Sequence, residues 1–322
     1  MLLPWLAGCS ALRLSYDQGP TLAYWWLDGY IDFSDEQGPR AKAALQDWFA
    51  WHRATGLPGY AALLAELQRQ AVDEVTPAQI CAVIADAQHR AERAFDQAVP
   101  AMAGIVRGLS PAQIAHLDKR YAKRNEDAQR DFAQPLPAER RKAAFERTLE
   151  RAESFYGALD DAQRRMLSAA LASSPFDPDA WLAERRARQN DIVRSLRQLT
   201  AARADVAQFE AALRAFAAHA ARSPRSDYRA YRERLDQANC RLIAALHNGT
   251  SAAQRQRAVD KLKGWEDDMR ALMRAPAGDA RALIGAAPLL REGSAPNRRA
   301  AADATAAGAG VNAPAAPSPA AG

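Results

Sequence analysis

Apolar residues recur at steps of three and four along most of this chain, from about residue 38 to residue 273. One such stripe contains Ile80, Val83, Ile84, Ala87 and Phe95. This spacing places the side chains on one side of an α-helix. No segment has the alternating β-branched pattern that is typical of strands. The sequence therefore predicts an all-α fold.

Chain breakers are scarce in the body of the protein and concentrated near its end. Of 322 residues only 17 are Gly and 18 are Pro, and many of them lie in the last fifty positions. The apolar stripes are narrow, as in helical bundles and coiled coils. We predict an elongated multi-helix bundle of long antiparallel helices over residues 9–274. Residues 275–322, which are rich in Ala, Pro and Gly, are predicted to form a disordered tail.

Two hexapeptides, at residues 75–80 and 109–114, are nearly identical and have the pattern of a helix start. Thr76 with Gln79, and Ser110 with Gln113, are spaced as capping boxes, in which each side chain bonds the backbone N–H of the other residue. A proline follows each N-cap, where its missing N–H costs nothing. Looser copies of the pattern begin at Ser34, Asp160 and Ser251.

These boxes resemble the LTxxQ motif of the Spy/CpxP family of periplasmic helical proteins, which includes ATP-independent chaperones. Only the copy at Thr76 has the threonine of that motif. Well-capped helices with no shared function account for the same residues, because a box of this kind is common in helical chains. Both interpretations remain open at this point.

The first residues resemble a bacterial lipoprotein signal. Leu6-Ala7-Gly8-Cys9 looks like a lipobox, in which a signal peptide is cut before a cysteine that then carries lipid. Residues 1–8 are predicted to be a truncated signal peptide, with Cys9 as the lipidation site. By resemblance to lipoprotein sorting rules, Ser10 favours the outer membrane over the inner one. The expected location is the periplasmic face of the outer membrane, and residues 9–274 would form a periplasmic domain.

A second resemblance extends over the helical body. Arg13-Leu14-Ser15-Tyr16, the stretch at residues 20–28 (PTLAYWWLD) and Tyr30 resemble a family of uncharacterised Gram-negative lipoproteins. The resemblance implies a cell-envelope location and a helical fold, and it implies no established activity. The same segment is rich in aromatic residues, which have two interpretations. They lie at a membrane interface, as aromatic belts do, or they pack the first helix into the bundle.

Two cysteines remain if Cys9 is lipidated, namely Cys81 and Cys240. An even number of cysteines in an oxidising compartment favours a disulfide, which here would join helices far apart in sequence. The alternative is a pair of buried free thiols that act as small hydrophobic residues.

No arrangement of residues typical of a catalytic or metal site emerges. The five histidines and three cysteines lack metal-ligand spacing, and no Gly-rich phosphate loop or nucleophile elbow is present. We therefore expect no metal and no cofactor, and a non-catalytic binding or scaffolding role. The alternative is an envelope enzyme acting on cell-wall material through acidic residues, with Asp35-Glu36 and the cluster at 266–268 as its candidates.

Positive charge is concentrated in residues 180–234, where twelve Arg and six Asp or Glu leave a net charge of +6. A basic stripe of this kind suits acidic proteins, anionic lipid or nucleic acid. The predicted compartment excludes nucleic acid and leaves envelope proteins or unfolded clients as partners, besides the membrane that the lipid anchor would reach. A solvated face with ion pairs explains the same charges. The candidate binding face consists of Arg185, Arg186, Arg194 and Arg197.

Overall fold

The computed structural model describes residues 11–274, and all regular secondary structure in this range is helical, which confirms the all-α prediction. Residues 1–10, with the predicted signal and Cys9, and the predicted tail at 275–322 lie outside the described residues. The helices are α1 (Ala11–Asp17), α2 (Gly19–Ile31), α3 (Gln37–Trp51), α4 (Leu57–Gln70), α5 (Pro77–Val106), α6 (Pro111–Phe132), α7 (Pro137–Tyr156), α8 (Asp161–Ala172), α9 (Pro178–Ala201), α10 (Val206–Ala221), α11 (Ser226–Asn248) and α12 (Ala252–Arg274).

Helices α3 and α4 are joined by one π-helical turn, His52–Gly56. Pro58 explains this turn, because proline has no N–H to donate and its ring clashes with the carbonyl four residues earlier. Gly56 is also required here. A Cβ at that position would lie 2.7 Å from the His52 ring.

Capping boxes close at six places within residues 11–274, and they explain where many of the helices begin. At Thr76 and Ser110, the hydroxyl accepts from the backbone N–H of Gln79 or Gln113, and the glutamine side chain accepts from the N-cap N–H in return. Asp160 and Asp205 head two further boxes, of which the second is not among those predicted from the sequence. Looser boxes are closed by Ser34 with Gln37 and by Ser251 with Gln254.

The order of these boxes divides the described chain into two similar halves, with three boxes in each. The first half comprises α2 to α6 and the second comprises α7 to α12. The third helix of each half packs against the last helix of the other half, since α4 lies on α12 and α9 lies on α6. In the middle, α5 packs against both α10 and α11. The packing therefore has the pattern of a pseudo-two-fold repeat.

Side chains at matching positions support this repeat. Asn125 on α6 and Glu266 on α12 each lie fifteen positions after the box serine of their own helix, and both are buried. Asn125 donates to Gln189 on α9 at 2.7 Å. Glu266 accepts from Gln68 on α4, also at 2.7 Å. The α6–α9 contact and the α4–α12 contact thus each contain one hydrogen-bonded pair of polar side chains. The pairing matters because a buried polar group without a partner is costly.

A disulfide joins the middle helices of the two halves. Cys81 on α5 and Cys240 on α11 are bonded, with their Cα atoms 5.6 Å apart, although they are 159 positions apart in sequence. The largest apolar cluster also spans the halves, because Val99 and Ile114 of the first half pack with Val193 and Phe209 of the second. Within residues 11–274, the two halves are therefore joined both by shared apolar packing and by a disulfide.

Candidate binding surfaces

The structure brings the box residues together in pairs rather than at one site. Gln37 and Gln113, from the first and last boxes of the first half, bond to each other through their side chains at 2.6 Å. Gln113 also donates to the carbonyl of Asp32, and Gln37 donates to that of Gly108. Thr76 and Gln79 form a solitary, exposed box. The boxes thus hold helix ends together, which is a structural role.

The four arginines of the candidate binding face do not lie in one environment. Arg185 is half-buried between α9 and α6, where its Nε donates to Asn125 Oδ1 at 2.9 Å. Burial lowers the pKa of the Arg185 guanidinium. The Arg185 guanidinium is thus engaged in the contact between α6 and α9. The solvent-facing set, which we call the arginine surface, consists of Arg186, Arg194 and Arg197.

An open groove of about 400 Å³ lies between α6 and α9, next to two of the three residues of the arginine surface. Val193 contributes an apolar part of its lining, while Arg194 and Arg197 stand on its edge. Arg197 pairs with Asp118 at 3.0 Å across the groove, with both side chains about half exposed. Exposed pairs of this kind contribute little, about 0–1 kcal/mol, so their guanidinium groups can exchange partners readily. Arg186 donates to the neutral amide of Gln129 at 2.8 Å.

The residues of the aromatic segment fall into two groups. Some pack into the helical bundle, and the others face outward, as residues at a membrane interface would. Tyr16 packs edge-on against Phe49, and its hydroxyl is hydrogen-bonded to His52 Nδ1 at 2.8 Å. Tyr30 packs against Tyr121 of α6. Tyr24 stacks on Phe33, which completes the packed set.

Trp25 and Trp26 belong to the outward-facing group, because these residues are 59% and 58% exposed. Leu14, on α1, is 61% exposed. These three are the largest outward-facing apolar side chains of α1 and α2. The sequence alone does not separate them from the packed aromatic residues, since all of them lie in one short segment.

His52 lies at the centre of an aromatic cluster beneath α1. Its imidazole stacks on Trp48 at 4.9 Å between ring centres and contacts Tyr60 as well. Burial lowers the pKa of His52 and raises the pKa of the Tyr16 hydroxyl. Both groups are therefore neutral near pH 7, and they fasten α1 to the turn between α3 and α4.

The acidic candidates for catalysis are engaged in separate contacts. Glu266 is buried and accepts from Gln68 and from Arg270. Asp268 pairs with Arg13 at 3.2 Å, and Asp267 pairs with Lys263. Asp35 and Glu36 lie exposed in the turn before α3.

Neither acidic cluster presents two carboxylates to a common cleft. Within residues 11–274, no group of three or more His, Cys, Asp or Glu side chains is arranged to hold a metal ion. No helix in the same range is both long and apolar enough to cross a membrane.

Residues 11–274 thus form an all-α protein of two pseudo-symmetric halves. It exposes the arginine surface on α9 and apolar side chains on α1 and α2. The chain belongs to DUF6279, a family of unknown function, whose model matches residues 29–229. The match begins near the end of α2 and continues into α11, and it excludes Cys9 and most of the aromatic segment. No curated protein matches the chain. No solved structure matches it either.

Proposed function

We propose that the protein is a lipid-anchored protein of the periplasmic face of the outer membrane that binds other proteins without catalysis. The observation that carries the binding role is the arginine surface beside an open groove with an apolar lining. Long arginine stems cover apolar surface while their charged heads stay in water. A surface of this type attracts acidic segments of envelope proteins or of unfolded clients and holds them weakly.

The disulfide supports the compartment. Cysteine pairs persist in oxidising spaces such as the bacterial periplasm and are rare in the cytosol. Cys81 and Cys240 are joined across the two halves of the molecule. The lipid anchor itself rests on the lipobox at residues 6–9. The resemblance of the capping boxes to the LTxxQ motif supports a chaperone-like form of the binding role.

A holdase assay tests the binding role. We expect the protein to suppress aggregation of an acidic denatured client at near-stoichiometric ratios without nucleotide. Suppression should weaken as salt rises, because exposed charges are screened beyond about 10 Å at 0.1 M salt. Reversal of the arginine surface (R186E, R194E and R197E together) should remove most of the effect, with helicity checked by circular dichroism.

A matched control reverses three exposed arginines on α7 and α8, namely Arg141, Arg151 and Arg165. This variant has the same net charge as the test variant, so it separates the local surface from overall charge. Equal suppression by both variants would overturn the role of the arginine surface. No suppression by the oxidised wild-type protein would exclude the holdase form and leave scaffolding of folded envelope proteins.

The anchor has its own test. With the protein expressed behind a complete signal peptide, Cys9→Ala should move it from the membrane fraction to the soluble periplasmic fraction. Wild-type protein should incorporate labelled palmitate, and Cys9→Ala should not. A membrane-bound Cys9→Ala variant, together with unlabelled wild-type protein, would show that the anchor assignment is wrong.

A further inference from the structure

The outward side of α1 and α2 carries a row of exposed side chains without charge. The two helices are almost one, because Gln18 N–H donates to Leu14 O at 3.1 Å and Leu22 N–H donates to Gln18 O at 3.0 Å. Across this junction Leu14, Gln18, Thr21 and Trp25 follow each other at steps of four, three and four, and all are exposed. Such steps place them along one side of a helix. Trp26 is also exposed and lies beside this row, where its ring contacts Tyr30 at 4.9 Å between ring centres.

The opposite side of the same helices is firmly held. Tyr16 and Tyr30 pack onto neighbouring helices. Charged residues of α1 and α2 are also engaged, since Arg13 pairs with Asp268 and Asp17 pairs with Arg53. Asp28 accepts from the backbone N–H of Phe33. The outward surface is therefore fixed in orientation, and its exposed tryptophans cannot turn into the core without unpacking α1 and α2.

The position of this surface in the chain indicates what covers it. Cys9 precedes the first residue of α1, Ala11, by two positions. Two extended residues span at most about 7 Å. If acyl chains are attached at Cys9, the membrane surface therefore lies within that reach of α1. The proposed anchor thus brings α1 and α2 closer to the bilayer than the helices that follow them.

The side chains suit the headgroup region of a bilayer. Tryptophan is enriched there, because its ring is largely apolar while its N–H reaches water. An exposed basic side chain lies beside α2, since Lys42 Nζ of α3 is 4.5 Å from the ring centre of Tyr24. A cation at this position complements anionic lipid phosphates.

We propose that the outward surface of α1 and α2, centred on Leu14, Trp25 and Trp26, lies in the lipid headgroup region and orients the helical body on the membrane. This inference rests on the proposed lipid anchor. The contact holds the body in one pose, so that the arginine surface faces a fixed direction. A lipid anchor alone would leave the body free to rotate about its tether.

Fluorescence quenching tests the contact. Lipidated protein purified from membranes is reconstituted into vesicles of phosphatidylethanolamine and phosphatidylglycerol with brominated acyl chains, which quench nearby tryptophans. We expect clear quenching for the wild-type protein and little for W25F/W26F. Trp181→Phe is the control, because Trp181 is buried between α6 and α9 and its removal should leave the quenching unchanged.

Four outcomes separate the two proposals. Quenching lost only in W25F/W26F supports the membrane contact. Equal quenching in W25F/W26F and wild-type protein, with lipid at Cys9 shown by mass spectrometry, overturns the contact while the anchor stands. Concentration-dependent dimerisation in solution that W25S/W26S abolishes would also overturn it, because the surface would then be a protein interface. Absence of lipid at Cys9 overturns the anchor and the inference together.

Discussion

Gln163 and Gln254 are hydrogen-bonded to each other through their side-chain amides at 2.7 Å, although 91 residues separate them. Each amide also closes its own capping box and donates to a backbone carbonyl just before the other box. Gln163 donates to Gly249 O, and Gln254 donates to Ala158 O, both at 2.9 Å. All the donor and acceptor positions of the two amides are thereby used. The pair at Gln37 and Gln113 repeats this arrangement in the first half.

Loss of one of these amides should cost more than loss of an ordinary capping residue. We expect Gln163→Ala to lower the free energy of unfolding by about 2–4 kcal/mol, because a capping contact is worth about 1 kcal/mol and a buried unpaired partner costs a further 1–3 kcal/mol or so. Urea unfolding followed by circular dichroism measures the change.

Gln79 and Gln208 provide the matched control, since each closes a box of the same kind at an exposed helix end. Their replacement by alanine should cost only about 1 kcal/mol. If Gln163→Ala costs no more than Gln79→Ala, the bond between the boxes contributes nothing to stability.

The disulfide between the halves should be a major source of stability. Closing a loop of 159 residues restricts the unfolded chain by an amount worth about 5 kcal/mol in the chain-entropy model. Double replacement of Cys81 and Cys240 by alanine should lower the free energy of unfolding by several kcal/mol. Thiol titration of native Cys9→Ser protein checks the premise, and two reactive thiols would contradict it.

His247 should make stability depend on pH on the acid side of neutrality. Its Nε2 donates to Asp73 O at 2.9 Å, and its Nδ1 accepts from the Tyr156 hydroxyl at 3.0 Å, so the ring is held neutral. Burial is the main cause that lowers the pKa of His247. A lowered pKa means that the unfolded chain takes up a proton first. The stability from His247 is therefore complete above about pH 6.5 and is lost as the pH falls below it.

The pH profile of the free energy of unfolding between pH 7 and 5 measures this effect. His247→Gln should flatten the profile, and His52, whose pKa burial also lowers, accounts for part of the remaining slope. His89→Gln is the control, because that side chain is 71% exposed. An unchanged slope in His247→Gln would contradict the assignment.

Glu266 should act at lower pH and through a different cause. Hydrogen bonds from Gln68, and then from Arg270, lower the pKa of its carboxyl group. The native state therefore holds the carboxylate more firmly than the unfolded chain does. Its contribution is present above about pH 4.5 and is lost as the pH falls below that value. Glu266→Gln should reduce the acid-induced loss of stability, while Asp267→Asn, at an exposed neighbouring position, should leave the loss unchanged. If the free energy of unfolding falls equally below pH 4.5 in Glu266→Gln and in wild-type protein, this role of Glu266 is contradicted.

Helix starts are the part of the fold that the sequence determines most fully. A capping box involves two residues only three positions apart, so the boxes at Thr76 and Ser110 can be recognised from the sequence alone. The helical spacing of apolar residues likewise predicts the all-α class, because it depends only on which side chains share a face. The box at Asp205 has the same residue types and spacing as the box at Asp160, so it too can be recognised from the sequence.

Tertiary structure decides which local units meet. The sequence of a box does not indicate that Gln163 meets Gln254 while Gln79 stays exposed, because that depends on which helix ends come together when α8 and α12 pack. The same reason separates Arg185 from Arg186, which are adjacent in sequence but lie on different sides of α9. It also separates Tyr24 from Trp25, one packed and one exposed. Local patterns fix what each helix is, whereas packing between distant helices fixes which side chains remain available for binding.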